Sequence, residues 1–177
     1  MVDIATITPN PALNLSTSVD KILPVAELRG TSERRDPGGG ECSAVIKRLG
    51  GDAHAIYPVG GVIGSLLRML LDEEGVASHN STTAGETRED ISVHEISTGE
   101  QYRFILPGPQ LSELEWQDCL RLDPGLEPFP RFVVESGRPP KGVPVVFYAR
   151  VARIGKQRGA KMILDASGRA LASAIVE

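Results

Sequence analysis

Ala53-His54-Ala55-Ile56-Tyr57-Pro58-Val59, then Gly60-Gly61-Val62-Ile63-Gly64, then Ser65-Leu66-Leu67-Arg68-Met69-Leu70-Leu71-Asp72-Glu73-Glu74-Gly75, is the stretch on which the fold turns. The first run is almost wholly apolar and reads as a buried strand. The glycine run reads as a loop. Leu66, Leu67, Leu70 and Leu71 then recur on one helical face, and Gly75 ends the helix. Strand, loop and helix in that order make one unit of an α/β protein.

The same alternation extends both ways. Asp3 to Thr8 is short and β-branched, and Pro9-Asn10-Pro11 stops it, so it predicts a strand and a turn. Pro37-Gly38-Gly39-Gly40 predicts a loop, and Val45, Ile46 and Leu49 a helix face closed by Gly50-Gly51. Downstream, Ser112-Glu113-Leu114-Glu115 opens a helix with acids in its first turn, where the dipole favours them. That helix runs through Trp116 and Leu120 to Asp123-Pro124-Gly125. A strand over Arg131 to Glu135, a loop over Ser136 to Gly142, a helix over Pro144 to Arg158, a strand over Lys161 to Asp165 and a helix from Ala170 follow. Alternating strands and helices imply βαβ units around a parallel sheet. Two polar, strand-like segments break the pattern, 13–36 and 86–106. The second has two arms, Thr87 to Glu95 and Gln101 to Leu106, about a turn at Ser97-Thr98-Gly99-Glu100. Together the segments read as a small separate sheet, a lid or an oligomerisation element.

The charge is mild: 19 Lys+Arg against 23 Asp+Glu leaves −4 over 177 residues, so no basic footprint points to nucleic acid. No stretch reaches the roughly 20 apolar residues of a membrane helix, and the N-terminus lacks the basic start of a signal peptide. Two distant cysteines, Cys42 and Cys119, fit a reducing, cytoplasmic setting, with one disulfide between them as the other reading. The chain is long enough for one domain.

Three glycine clusters, at 38–40, 60–64 and 137–142, fall after strands, where ligands bind in open α/β sheets. Glycine lets a backbone approach a phosphate or sugar, although tight turns alone would account for each cluster. Arg88 and Arg103 lie in the two hairpin arms; a guanidinium fork suits phosphate oxygens, and neighbouring glutamates are the ordinary alternative partners. Asp165 stands at a strand end, either on the ligand side or as the cap of the last helix. His54, His79 and His94 have no metal-ligand spacing, so no metal site is expected.

Taken together, Ile7-Thr8-Pro9-Asn10-Pro11-Ala12-Leu13, Pro37-Gly38-Gly39-Gly40, Lys47-Arg48-Leu49-Gly50-Gly51, Gly99-Glu100-Gln101-Tyr102-Arg103-Phe104, Ser136-Gly137 with Pro139-Pro140, and Ile163-Leu164-Asp165-Ala166-Ser167-Gly168 resemble the phosphofructokinase B branch of the ribokinase-like sugar kinases. The likeness is greatest to the minor bacterial phosphofructokinase type and covers nearly the whole chain. It implies an α/β fold, a ribokinase-like αβα core with a parallel sheet, incomplete at the C-terminal side, with a β-sheet lid at segments 13–36 and 86–106 inserted in it; residues 1–177 would be the N-terminal part of a carbohydrate kinase domain. It implies phosphoryl transfer from ATP with Mg²⁺ to a sugar phosphate, fructose-6-phosphate first, and a homodimer formed through the lid. Substrate-binding positions implied by the resemblance are Asn14, Gly38, Gly39, Gly40, Arg88, Arg103 and Ser136. No catalytic residue is expected within the chain, because the family's Gly-Ala-Gly-Asp base, its magnesium motif and most of its nucleotide pocket belong to a later half.

Departures from the family pattern accompany the match. Asn14 stands where the family has a sugar-binding aspartate, and Glu41-Cys42-Ser43 follows Gly40 where a sugar-contacting asparagine is usual. Arg138 replaces a small polar residue, and Glu27 occupies a position that is often basic. Two functions from different classes are therefore open: the substrate-binding half of a sugar-phosphate kinase, and a non-catalytic, degenerate kinase-like binding or dimerisation module. A truncated gene product is the blandest alternative.

Overall fold

The structure is a computed structural model, and it describes residues 2–38 and 41–176. Five parallel strands form the main sheet: β1 (Ile4–Ile7), β4 (Ala53–Val59), β5 (Ala77–Thr82), β8 (Phe132–Ser136) and β9 (Lys161–Asp165), in the order β5-β4-β1-β8-β9. Four strands form a second sheet: β2 (Ala12–Val19), β3 (Arg34–Pro37), β6 (Arg88–Glu95) and β7 (Gln101–Ile105), in the order β3-β2-β6-β7. The helices are α1 (Glu41–Arg48), α2 (Gly61–Glu73), α3 (Glu113–Cys119), α4 (Phe147–Gln157) and α5 (Gly168–Ala174).

The period-2 alternation of the main sheet separates two apolar cores. Ala5, Ile7, Ile56 and Val133 join Trp116 of α3 and Phe147, Tyr148 and Val151 of α4 on one face. Ala55, Tyr57 and Val59 join Ala44 of α1 and Leu67 and Leu71 of α2 on the other. Val133 is fully buried, and burial of such a side chain contributes roughly 1.5–3 kcal/mol. The buried Thr6 hydroxyl is satisfied by Ser43 of α1, 2.5 Å away.

The two polar segments meet in one sheet. β2 pairs with β6 in parallel from Ala12↔Arg88 to Val19↔Glu95, while β3 and β7 flank them antiparallel. Register sorts this sheet into a polar face carrying Asn14, Arg88, Asp90, Ser92 and Arg103, and a face carrying Ile91, Val93, Tyr102 and Phe104. Phe104 on the second face is 55% exposed.

Several boundaries differ from the sequence reading. β5 was not expected: Ala77-Ser78-His79-Asn80-Ser81-Thr82 has no apolar alternation, and its strand geometry comes from pairing with β4 at the sheet edge. The 60–64 run is not a loop, since α2 begins at Gly61. The Glu86 carboxylate accepts the Ile63 N–H at 2.7 Å there and occupies the space a Cβ on Gly61 would need. α4 starts at Phe147 rather than Pro144, and α5 at Gly168 rather than Ala170. The Ser112 start is as read: its hydroxyl and Glu115 form a capping box, and Glu115 also accepts the Ala84 N–H, so backbone donors from Ser112 and Ala84 hold its carboxyl below the usual range. Cys42 and Cys119 are both free thiols. Among the described residues no helix is long and apolar enough to cross a membrane.

Candidate functional site

Both linkers that lead out to the second sheet leave from the carboxyl ends of parallel strands. Thr8–Pro11 joins β1 to β2, residues 83–87 join β5 to β6, and 106–112 return from β7 to α3. Beneath them opens a cleft of about 830 Å³. Its floor holds Thr8 after β1, Ser136 and Gly137 at the end of β8, and Asp165 at the end of β9. Its roof holds Arg88 at the start of β6, Ile105 at the end of β7, and Leu106 and Gly108 beyond it.

Two polar atoms in this cleft are buried without a partner: Nε of Arg88 and Oδ1 of Asn10. Arg88 is held by Asp90, two positions along the same face of β6, which accepts from Nη1 at 2.5 Å. That ion pair leaves the Nε–H unspent. Asn10 is fixed between Pro9 and Pro11 in the β1–β2 linker. A Cβ on Gly108 would collide with Asn10 Oδ1 and lie 3.3 Å from Arg88 Cδ, so only glycine lets the returning chain pass beside both side chains. Buried donors and acceptors are satisfied almost without exception, and two orphans on residues that line one cleft mark it as the candidate polar ligand site.

The floor is braced from below. The Tyr148 hydroxyl, on fully buried Tyr148, donates to the carbonyls of Ser136 at 3.0 Å and Gly137 at 2.8 Å. The Gly137 N–H donates to the Asp165 carbonyl at 3.1 Å, and Gly137 adopts φ +92°, a left-handed geometry suited to glycine. Burial, followed by the nearby Glu135 and Asp165 carboxyls, pushes the Tyr148 phenol far up, so it stays a donor. Arg88, already paired with Asp90, lines the cleft together with Arg138 and Lys141, and Asp165 is the single acid among the described lining residues. The arrangement suits an anion bearing hydroxyl groups: guanidinium N–H for the anion, an amide oxygen to accept from a hydroxyl.

Of the positions expected from the sequence, Gly38, Arg88 and Ser136 line the cleft. Asn14 stands beside it: a Cβ on Gly38 would meet Asn14 Oδ1 at 2.6 Å. Arg103 shares the polar face of the second sheet with Arg88 but lies opposite Ser92, exposed and outside the cleft lining. Gly39 and Gly40 fall outside the described residues. The 60–64 cluster does not reach the cleft; it seats the strap leading to β6, with the Gly60 N–H donating to the Thr87 hydroxyl at 3.0 Å. Asp165 is not the cap of α5, which is Ser167; it lines the cleft instead. Asn10, Gly108 and Lys141 were missed. The Pro9-Asn10-Pro11 and Pro107-Gly108-Pro109 triplets were the available signal, two rigid linkers with one polar or small residue at each centre. No group of three or more His, Cys, Asp or Glu side chains among the described residues could hold a metal ion.

Comparison with known proteins agrees with this geometry. Residues 12–177 match the model of the pfkB family carbohydrate kinases. The chain is 43% identical over 170 residues to the ATP-dependent 6-phosphofructokinase isozyme 2 of Mycobacterium tuberculosis, covering 95% of this chain and 50% of that protein. It is 35% identical over 181 residues to the Escherichia coli K12 isozyme 2, covering 99% and 57%. The solved structure of E. coli phosphofructokinase-2 in complex with fructose-6-phosphate superimposes with a TM-score of 0.90 over 99% of this chain and 58% of that one. The chain thus spans about half the length of the curated relatives it matches. With the αβα core, the second sheet and the family match in agreement, the chain belongs to the pfkB family of carbohydrate kinases.

Proposed function

We propose that the cleft binds a sugar phosphate, fructose-6-phosphate by its likeness to the relatives, and that this chain supplies the substrate-binding half and lid of an ATP-dependent sugar-phosphate kinase in a cytoplasmic setting. The observation that carries this reading is the pair of buried, unpartnered polar atoms, Arg88 Nε and Asn10 Oδ1, meeting at Gly108. In this reading Arg88 grips the phosphate and Asn10 accepts from a sugar hydroxyl. Asn14 and the glycines from Gly38 through Gly40 close one side, and the turn at Ser136, clamped by Tyr148, closes the other. Arg138 and Lys141 add positive potential at the rim, and Arg103 extends it along the lid. ATP, when bound, supplies the phosphoryl group. Among its described lining residues the cleft offers one carboxylate, Asp165, which is too few for an all-protein Mg²⁺ cage, so Mg²⁺ would enter on the nucleotide phosphates.

The lid is proposed as segments 13–36 and 86–106 of a single kinase domain, and its exposed apolar face as the contact of a homodimer. That face also favours a second reading, a binding or dimerisation module without phosphoryl transfer. Isothermal titration of the chain with fructose-6-phosphate and with fructose tests the cleft. The phosphorylated sugar is expected to bind at least tenfold more tightly, and Arg88→Ala to remove that preference. Equal binding of the two sugars, or an unaltered preference in the variant, would overturn the assignment. A coupled ATP assay on the same chain is expected to give no turnover.

A further inference from the structure

α2 begins without a cap of its own. Its N-cap is Gly60, which has no side chain, and its first turn carries no acid. A helix start leaves backbone N–H groups without intrahelical partners and carries partial positive charge. Both needs are met from 23 positions further along the chain, where the Glu86 carboxylate accepts the Ile63 N–H at 2.7 Å.

Glu86 belongs to the strap 83–87 between β5 and β6, and its neighbours are seated on the same helix start. The Thr83 N–H donates to the Val59 carbonyl at 2.8 Å, and the Thr87 N–H to the Gly60 carbonyl at 3.0 Å. The buried Thr87 hydroxyl accepts the Gly60 N–H at 3.0 Å. Arg88 comes next; it opens β6 and lines the cleft, whereas Glu86 does not line it. The ion pair of Arg88 is with Asp90, inside β6, so on this side the strap sets where the Arg88 backbone stands against the core.

We propose that Glu86 is a positioning residue for the sugar phosphate: by capping α2 across the strap, it holds Arg88 where the phosphate is gripped. This role rests on the sugar phosphate reading of the cleft. Affinity falls with the fraction of molecules whose binding group is in place, and with any misplacement of that group. Loss of Glu86 therefore weakens the hold on the phosphate and leaves the hold on the sugar. A direct charge effect would have the opposite sign, since removing a negative charge near a bound phosphate strengthens its binding.

Calorimetric titration with fructose-6-phosphate and with fructose tests this role in the wild type, Glu86→Ala, Glu86→Gln, Arg88→Ala and the double variant Glu86→Ala with Arg88→Ala. Glu86→Ala is expected to weaken fructose-6-phosphate about fivefold and to leave fructose unchanged. Glu86→Gln keeps an acceptor oxygen for the Ile63 N–H and is expected to recover most of that loss. In the Arg88→Ala background, Glu86→Ala is expected to add nothing, because its effect passes through Arg88. Cooperative melts show that each variant is folded. Four results would overturn the role while the wild type still prefers the phosphorylated sugar: unchanged or tighter fructose-6-phosphate binding in Glu86→Ala, an equal loss for both sugars, a Glu86→Gln as weak as Glu86→Ala, or a full further loss on top of Arg88→Ala. A wild type without that preference would overturn the reading of the cleft, and the role of Glu86 with it.

Discussion

Replacing Glu135 should stabilise this protein, by an amount that depends on pH. The carboxyl is raised from 4.5 to about 8 by burial, with no opposite charge to offset it. The folded chain therefore keeps a proton that the unfolded chain gives up above 4.5. Its contribution to stability is fully present below pH 4.5, declines as pH rises from 4.5 to 8, and is lost above 8. At about 1.36 kcal/mol per pKa unit, the loss is roughly 3.4 kcal/mol at pH 7 and nearly 5 kcal/mol at pH 9. Glu135→Gln keeps the size and removes the titration, leaving only an unsatisfied amide worth about 1–3 kcal/mol. Glu135→Leu removes both and should be the more stable of the two. With a urea slope of about 2 kcal/mol per molar, the wild-type midpoint should fall by about 2 M between pH 5 and pH 9 relative to either variant. A wild-type midpoint whose pH dependence matches that of Glu135→Leu would refute the reasoning, since it would mean that Glu135 titrates alike in the folded and unfolded chains.

Three further outcomes follow from the cleft and the lid. Gly108→Ala places a methyl group against Asn10 Oδ1 and Arg88, and is expected to weaken fructose-6-phosphate binding at least tenfold by calorimetry. Tyr148→Phe unties the Ser136–Gly137 turn; denaturation should register a loss of about 1 kcal/mol, and calorimetry a weaker sugar phosphate complex. Phe104→Asp charges the exposed lid face, and sedimentation velocity should find the wild type dimeric and the variant shifted toward monomer.

The α/β core was legible because its elements carry their own signals. Ala53 to Val59 is apolar throughout, the leucines of α2 recur at helical spacing, and Ser112 with Glu115 spells a capping box. β5 carries no such signal: it is polar, lies at the edge, and owes its conformation to β4. The 60–64 glycines were misread because their local chemistry is that of a turn, while their structural role depends on Glu86 and Thr87, more than twenty positions away. The candidate site divides in the same way. Arg88 was singled out with Arg103 by resemblance to family phosphate-binding positions, and it lines the cleft while Arg103 does not; Asn10 and Gly108 come together only because two linkers nearly a hundred residues apart cross at one point. A long-range crossing leaves no period in the sequence.

That crossing also explains why the cleft is where it is. The chain leaves the parallel sheet by Thr8–Pro11 and by residues 83–87, and it returns from β3 into α1 and from β7 by 106–112. Arg88 is the first residue of β6, and it pairs with Ala12, the first residue of β2. Asp90 ties Arg88 to its own strand rather than to the core. The core side, in contrast, is locked: Tyr148 and the Asp165 carbonyl fix the Ser136–Gly137 turn. A ligand joining Arg88 to the Ser136–Gly137 turn would therefore bridge the second sheet and the core.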